Sequence, residues 1–279
     1  MNIARLKVRR LGANEDAAFW TRTLSGGAWL PGSRVLKQDA ASWVRRVTLP
    51  GRTGDVVIKC RPAQGLGERL KALFRASRGD RHWRGARWLL DHGFDTAEPL
   101  LLASAVVDGV PCELLVTAFI DARSVLEHLA ARDLSVRQEH EAARAVARLV
   151  GGIDKAGRHN RDGKPSNLLL VRDVSGFYRV ATIDTVAIRR GAGFKPLARS
   201  LANLLIEPMG TGLAPRLALQ GRVLRELFGA PPADANERDD WWLGRAQYVG
   251  RVRDIVMDHG DPRPRIDPLS PAHKEAHAS

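Results

Sequence analysis

His159 to Asn167 reads H-N-R-D-G-K-P-S-N, and Ile183-Asp184-Thr185 follows after two apolar runs, Leu168 to Val171 and Tyr178 to Ile183. Within the stretch an Arg precedes Asp162, a Lys stands two residues after it and an Asn five residues after it. Phosphoryl transfer needs such a set. One carboxylate orients a hydroxyl nucleophile, a cation steadies the γ-phosphate, and an amide and a second carboxylate supply oxygen to Mg²⁺. Taken singly, Asp162 and Asp184 would be caps or turns, Asn167 a turn residue and Lys164 a surface charge. Their joint spacing, with apolar segments between them, carries the reading.

The bulk properties set limits around that stretch. A chain of 279 residues is enough for one large or two small domains. Its net charge of +13, from 44 basic and 31 acidic residues, favours polyanions: nucleic acid, anionic lipid head groups or a phosphorylated glycolipid. The arginines are scattered rather than clustered, as a high-GC genome would equally write them. No zinc-finger spacing or RNA-recognition signature occurs, which disfavours a nucleic-acid partner. No apolar run approaches the ~20 residues of a membrane span. The basic start, M-N-I-A-R-L-K-V-R-R-L-G, lacks the apolar stretch of a signal peptide. Cys60 and Cys112 fit no metal or disulfide framework, so they read as reduced thiols of a cytoplasmic protein.

Working outward, residues 1 to about 30 read as a lead-in to a first sheet. Strands are expected in S-R-V-L-K from Ser33, S-W-V-R-R-V-T-L from Ser42 and D-V-V-I-K-C from Asp55, with a Gly-rich turn over Pro50 to Gly54. Lys59 is placed at the end of a β-branched run. The turn between the first two strands, Lys37 to Ser42, contains no glycine, so a phosphate there would be met by backbone N–H groups, Ser42 or Lys37. A basic helix is expected from about Gly67, with a break near Gly79 and a second helix through Leu90 that ends at Gly93. A strand from Glu98, an Asp108-Gly109 hairpin turn and the run Leu114 to Ile120 complete the sheet. Capping boxes at Ser124–Glu127 and Ser135–Gln138 open two helices, the second stopping at Gly151-Gly152. Further helices are expected over Leu197 to Ile206, Val223 to Phe228 and Asp239 to Met257. In the last of these Trp241, Trp242, Tyr248 and Val252 read as core rather than as a membrane anchor.

The order of Lys59, S-R-x-x-R-x-W (Ser77 to Trp83), H-G-F-D-T-A-E-P-L (His92 to Leu100), V-T-A-F-I (Val116 to Ile120), R-D-G-K-P-S-N and I-D-T resembles the bacterial lipopolysaccharide kinase family. These are the Kdo and heptose kinases, WaaP and InaA-like proteins, of the protein-kinase-like superfamily. The resemblance covers roughly residues 33 to 206 and is strongest over 159 to 185. It implies an α+β, protein-kinase-like two-lobed fold, with a small antiparallel β-rich N-lobe over 1–120, a mainly helical C-lobe over 121–260 and a disordered, proline-rich tail over 261–279. ATP and Mg²⁺ would lie between the lobes, and the reaction would phosphorylate a sugar hydroxyl of an anionic lipopolysaccharide-core glycolipid. The protein would be cytoplasmic, with peripheral contact at the anionic inner face of the membrane.

Position by position, the resemblance makes Asp162 the catalytic carboxylate and Lys164 the cation beside the transferring phosphoryl group. Asn167 and Asp184 become the Mg²⁺ ligands and Lys59 the α/β-phosphate lysine. Ser42 lies in the phosphate turn, and Ala118 and Phe119 lie where backbone groups meet adenine. The sequence departs from the pattern in four places. The phosphate turn lacks glycine, Asn160 stands where kinases carry His, and Thr185-Val186 replaces Phe-Gly. The helix after Lys59 shows no clear Glu partner, which leaves Glu68 and Asp80 as candidates. The segment after Asp184 is short and carries Arg189, Arg190, Lys195 and Arg199, a cationic lip suited to an anionic acceptor rather than to a protein. Other readings of the same motifs are a nucleotide-binding scaffold without turnover and a kinase-like enzyme with another hydroxyl acceptor.

Overall fold

A computed structural model describes residues 2–39, 42–63, 77–263 and 269. The expected helix from Gly67, Glu68 and nearly all of the 261–279 tail lie outside the described residues. The chain divides after Asp121 into two compact units.

The first unit is built on a six-stranded antiparallel sheet. Its strands are β1 (Ile3–Leu11), β2 (Arg34–Gln38), β3 (Trp43–Val47), β4 (Val56–Pro62), β5 (Pro99–Val107) and β6 (Val110–Ala118), in the order β1-β5-β6-β4-β3-β2. The N-terminal segment is therefore more than a lead-in: β1 is an edge strand on β5, followed by helix α1 (Ala17–Ser25). Register shifts between Ala4 and Lys7 and between Val8 and Arg10 break its alternation, which is why no strand is legible there. Asp16 caps α1, accepting from the N–H groups of Ala18 and Phe19. Trp20 and Leu24 of α1 pack with Trp29, Trp43, Val56, Ile58, Cys60, Leu101 and Leu114 on one face of the sheet. Asp108 (φ 48°) and Gly109 (φ 84°) make the β5–β6 turn with both residues left-handed, as a two-residue hairpin requires.

Lys59 lies inside β4 rather than at its end, in register between Val44 and Leu115. Side chains alternate along a strand, so Lys59 shares the face of Leu115, against which Leu102 and Trp83 pack. Trp83 belongs to α2 (Arg78–Asp91), which starts at the Ser77 cap. Gly79 is thus in the first helical turn, two residues after the cap, and what precedes the cap lies outside the described residues. The Glu113 carboxylate accepts from the Gly79 N–H at 2.6 Å, and a Cβ on Gly79 would fall 2.6 Å from Leu102 Cδ1 and closer still to Glu113. Arg9 joins Glu113 at 2.7 Å and also Asp80, while Arg10 Nε donates to Asp80 at 2.9 Å. This ionic knot fixes the start of α2 to the sheet.

The second unit comprises α3 (Val125–Ala131), α4 (Val136–Lys155), strands β7 (Arg158–Asn160), β8 (Leu168–Arg172), β9 (Tyr178–Thr182) and β10 (Ile188–Arg190), then α5 (Phe194–Gly210), α6 (Leu217–Phe228) and α7 (Ala235–Asp258). Both capping boxes form at Ser124 and Ser135. Helix α4 does not stop at Gly151-Gly152. A Cβ on Gly151 would sit 2.7 Å from Leu227 Cδ2, so glycine there serves the close approach of α6. In α7, Tyr248 packs on Phe194 and Phe228 with ring centroids 4.6 and 4.8 Å apart, and Val252 is buried, while Trp242 is half exposed. The helices also line an apolar cavity of about 410 Å³ that is half open to solvent.

The fold is α+β, and its described elements come in the order the kinase resemblance predicts: an antiparallel sheet with a lysine on an inner strand, a helix over Arg78–Asp91 before β5, then a helical unit carrying the R-D-x-K-x-x-N stretch and the second Asp.

Candidate active site

In the second unit two short ladders hold the stretch. β7 pairs with β10, and β8 pairs with β9 so that Leu168 faces Thr182. The loop between β7 and β8 carries Asp162, Lys164 and Asn167, and the β9–β10 connection carries Asp184. The N–H of Asp162 donates to Asn160 Oδ1 at 3.0 Å, an Asx turn that performs locally what the absent His would otherwise support. Asn160 is buried, and Gly163 packs against its side chain. Asn167 Nδ2 donates to the carbonyl of Asp162 at 3.0 Å, and its own carbonyl accepts from Ile183 N–H at 3.1 Å. One residue thereby ties the loop of Asp162 to the segment of Asp184. Asp184 forms a second Asx turn, its Oδ1 accepting from Val186 N–H at 3.1 Å.

These residues suit a hard cation. With Nδ2 of Asn167 committed to Asp162, the amide presents Oδ1 as its oxygen donor. Asn167 and Asp184 then offer a neutral and an anionic oxygen, the sparse protein contribution Mg²⁺ takes when phosphates and water complete its shell. Among the described residues no three His, Cys, Asp or Glu side chains are grouped to hold a metal by themselves.

The spacing of the motif does not point to what supports the loop from below. Glu207 on α5 is 7% exposed, and its carboxylate accepts from Ser166 N–H at 2.8 Å and Ser166 Oγ at 2.6 Å, with Lys164 Nζ at 3.5 Å. Asn203, one turn earlier, donates to the carbonyl of Arg161 at 2.9 Å. The available signal was a polar pair four residues apart inside the apolar run L-A-N-L-L-I-E, which puts both on one helix face.

The basic lip is only partly as expected. The Arg189 guanidinium turns back to the carbonyls of Val186 and Ile188 at 2.8 and 3.1 Å. Arg190 lies opposite Arg158 in the ladder, and burial together with the Arg190 charge pulls the Arg158 guanidinium below its usual range.

In the first unit, Asp80 does not serve Lys59. Burial pushes the Asp80 carboxyl up, but hydrogen bonds from Arg10 and Ser77 and the charges of Arg9 and Arg10 outweigh it and hold the group below the usual carboxylate range. Ser42 Oγ donates to Asp39 at 3.1 Å, closing its turn. Ala118 N–H donates to Glu98 O at 2.8 Å and Phe119 N–H to Asp55 O at 3.0 Å. A contact from either residue to an adenine edge would therefore run through a carbonyl.

No family model matches the chain, and no curated protein matches it. Among solved structures it is similar to the Mycobacterium tuberculosis PknI kinase domain, with 18% identity, a TM-score of 0.37, and coverage of 88% of this chain and 96% of that one. A similarity at that score says nothing of activity or substrate. Among the described residues no helix is long and apolar enough to cross a membrane.

Proposed function

We propose that the protein is an ATP-dependent phosphotransferase whose acceptor is a sugar hydroxyl of an anionic, lipopolysaccharide-core-like glycolipid. The observation that carries the reading is the bonding of Asn167 to both Asp162 and Ile183, which brings a carboxylate and a pair of oxygen donors into one loop cluster. Asp162 orients the acceptor hydroxyl and takes its proton as the oxygen attacks the γ-phosphorus and ADP leaves. Lys164 neutralises charge on the transferring group. Asn167 and Asp184 would hold Mg²⁺, which would supply positive charge to the phosphate oxygens. In the first unit, the resemblance makes Lys59 the group that meets the α- and β-phosphates, and the Ser42 turn and the carbonyls of Ala118 and Phe119 further nucleotide contacts. What supports the glycolipid acceptor is the motif resemblance, the short segment between Asp184 and α5 and the net charge of +13, which also favours contact with an anionic membrane face. A nucleotide-binding scaffold without turnover is the second reading, favoured by the engagement of Asp80 with Arg9 and Arg10.

The test is Mg²⁺-dependent ATP binding and phosphoryl transfer to extracted glycolipid, in wild type, Asp162→Ala and Asp184→Ala. Asp184→Ala weakens Mg·ATP binding, whereas Asp162→Ala spares binding and lowers turnover by at least about 10²-fold. Equal, metal-independent binding in all three sinks the enzyme reading. Binding without transfer in wild type selects the scaffold.

A further inference from the structure

We propose that the cavity of the second unit is a binding site for one saturated acyl chain of a carboxylate-headed amphiphile, a free fatty acid. The inference does not depend on the phosphotransferase reading. The cavity is bounded by α3, α4, α5, α6 and α7, and none of Asp162, Lys164, Asn167 or Asp184 lines it. Its volume of about 410 Å³ lies in the range of small-molecule sites, and its walls are apolar, as in such sites. At the ~30 Å³ that a water-sized group occupies in a liquid, the space holds on the order of a dozen methylenes. Its mouth is open to solvent, so water meets apolar walls that offer it few partners, and a guest that covers those walls gains their burial. Met209 is about half exposed and Met257 mostly exposed on the wall, and thioether side chains adapt to a flexible apolar guest.

The head group follows from the four polar side chains of the lining. His128 is bonded to Asp133 at 2.9 Å, Glu139 is paired with Arg216, and Gln220 donates to the carbonyl of Pro215 at 2.8 Å. Among the described residues Arg253 has only a 3.8 Å pair with the adjacent Asp254, and its side chain is 77% exposed. Arg253 is therefore the cation at the mouth, placed to meet a carboxylate while the chain enters the apolar interior.

The experiment uses the full chain and an environment-sensitive fatty acid, 11-(dansylamino)undecanoic acid, with tetradecanoate as competitor and native mass spectrometry to count adducts. Expected are a saturable fluorescence gain, a single tetradecanoate adduct, and displacement about threefold weaker by tetradecanol, the scale of one solvent-exposed ionic contact. Arg253→Ala removes that preference. Ala143→Phe and Val146→Phe, each filling the cavity from α4, abolish probe binding while keeping or raising Tm. Asp162→Ala binds the probe as wild type does, so a failed phosphotransfer assay leaves this result separate. Absence of probe binding and of an adduct in wild type overturns the proposal, as does wild-type affinity in both Phe variants. If one Phe variant fails to fold, the other and the adduct count decide. Binding seen only with phosphatidylglycerol vesicles, or equal displacement by tetradecanol, overturns the free fatty acid as occupant.

Discussion

Glu207 is where the loop can be loosened without touching a reacting group. Its buried carboxylate receives Ser166 N–H and Ser166 Oγ, at 2.8 and 2.6 Å. Hydrogen bonds to a charged acceptor contribute roughly 1.5–3 kcal/mol each, while the pair with Lys164, whose side chain is 41% exposed, adds under ~1 kcal/mol. Glu207→Ala leaves both Ser166 donors without their acceptor, so with partial non-additivity it costs about 3–5 kcal/mol. Glu207→Gln keeps the shape and one carbonyl acceptor, and costs about 1–2 kcal/mol. Urea denaturation followed by tryptophan fluorescence measures both, the expected signature being a lower midpoint at unchanged slope. If the enzyme reading holds, Glu207→Ala also lowers turnover by about 10–10²-fold through displacement of Lys164. An Ala variant within ~1 kcal/mol of wild type, or a Gln variant as costly as Ala, would refute the reasoning.

Two further predictions concern the ionic knot of the first unit. Asp80→Asn costs about 2–3 kcal/mol near neutral pH, less than a fully buried broken pair because Arg9 and Arg10 reach solvent. The folded Asp80 carboxyl is depressed, so its stabilisation is full above the unfolded value of about 3.9 and is lost as pH falls through the lower folded value. The gap in stability between wild type and Asp80→Asn should therefore close below about pH 4, and a pH-independent gap in thermal melts contradicts the assignment. Gly79→Ala gains helix propensity yet pushes a methyl into Glu113 and Leu102, so it should destabilise by about 1–3 kcal/mol in the same melts, where a neutral or stabilising effect counts against the packing described.

Which parts of this architecture were legible depends on the range of the interaction. The Asp108-Gly109 turn and the Ser124 and Ser135 capping boxes are set by neighbours within a few residues and formed as read, while the strand of Lys59 formed but runs on past it to Pro62. Gly151 was misread as a stop because glycine signals both chain reversal and close contact, and only the position of Leu227 distinguishes the two. Glu207 was missed because its partner Ser166 lies 41 residues away and a Glu in an apolar helix gives no sign of what it will meet. Asp80 was a candidate partner for Lys59 on sequence proximity alone, whereas Arg9 and Arg10 arrive from an edge strand whose bulges hid it.

The departures from the kinase pattern fall differently on the two units. In the second, each has a local substitute. Asn160 receives the N–H of Asp162, where the pattern has His, and Asp184 receives the N–H of Val186, where it has Gly. Asn203 and Glu207 then anchor the carbonyl of Arg161 and the N–H of Ser166 from one helix. The backbone around Asp162 is thus held by side chain to backbone bonds on both sides. In the first unit the substitutes run the other way. Asp80 is consumed by Arg9 and Arg10, Ser42 by Asp39, and the N–H groups of Ala118 and Phe119 by Glu98 and Asp55. Donors already bonded inside the unit give a nucleotide fewer contacts. The metal and the catalytic loop should accordingly dominate nucleotide binding, so loss of Asp184 should weaken Mg·ATP more than loss of Ser42. Isothermal titration of Asp184→Ala against Ser42→Ala decides this, and a larger loss at Ser42 would show that the turn remains a phosphate loop without its glycines.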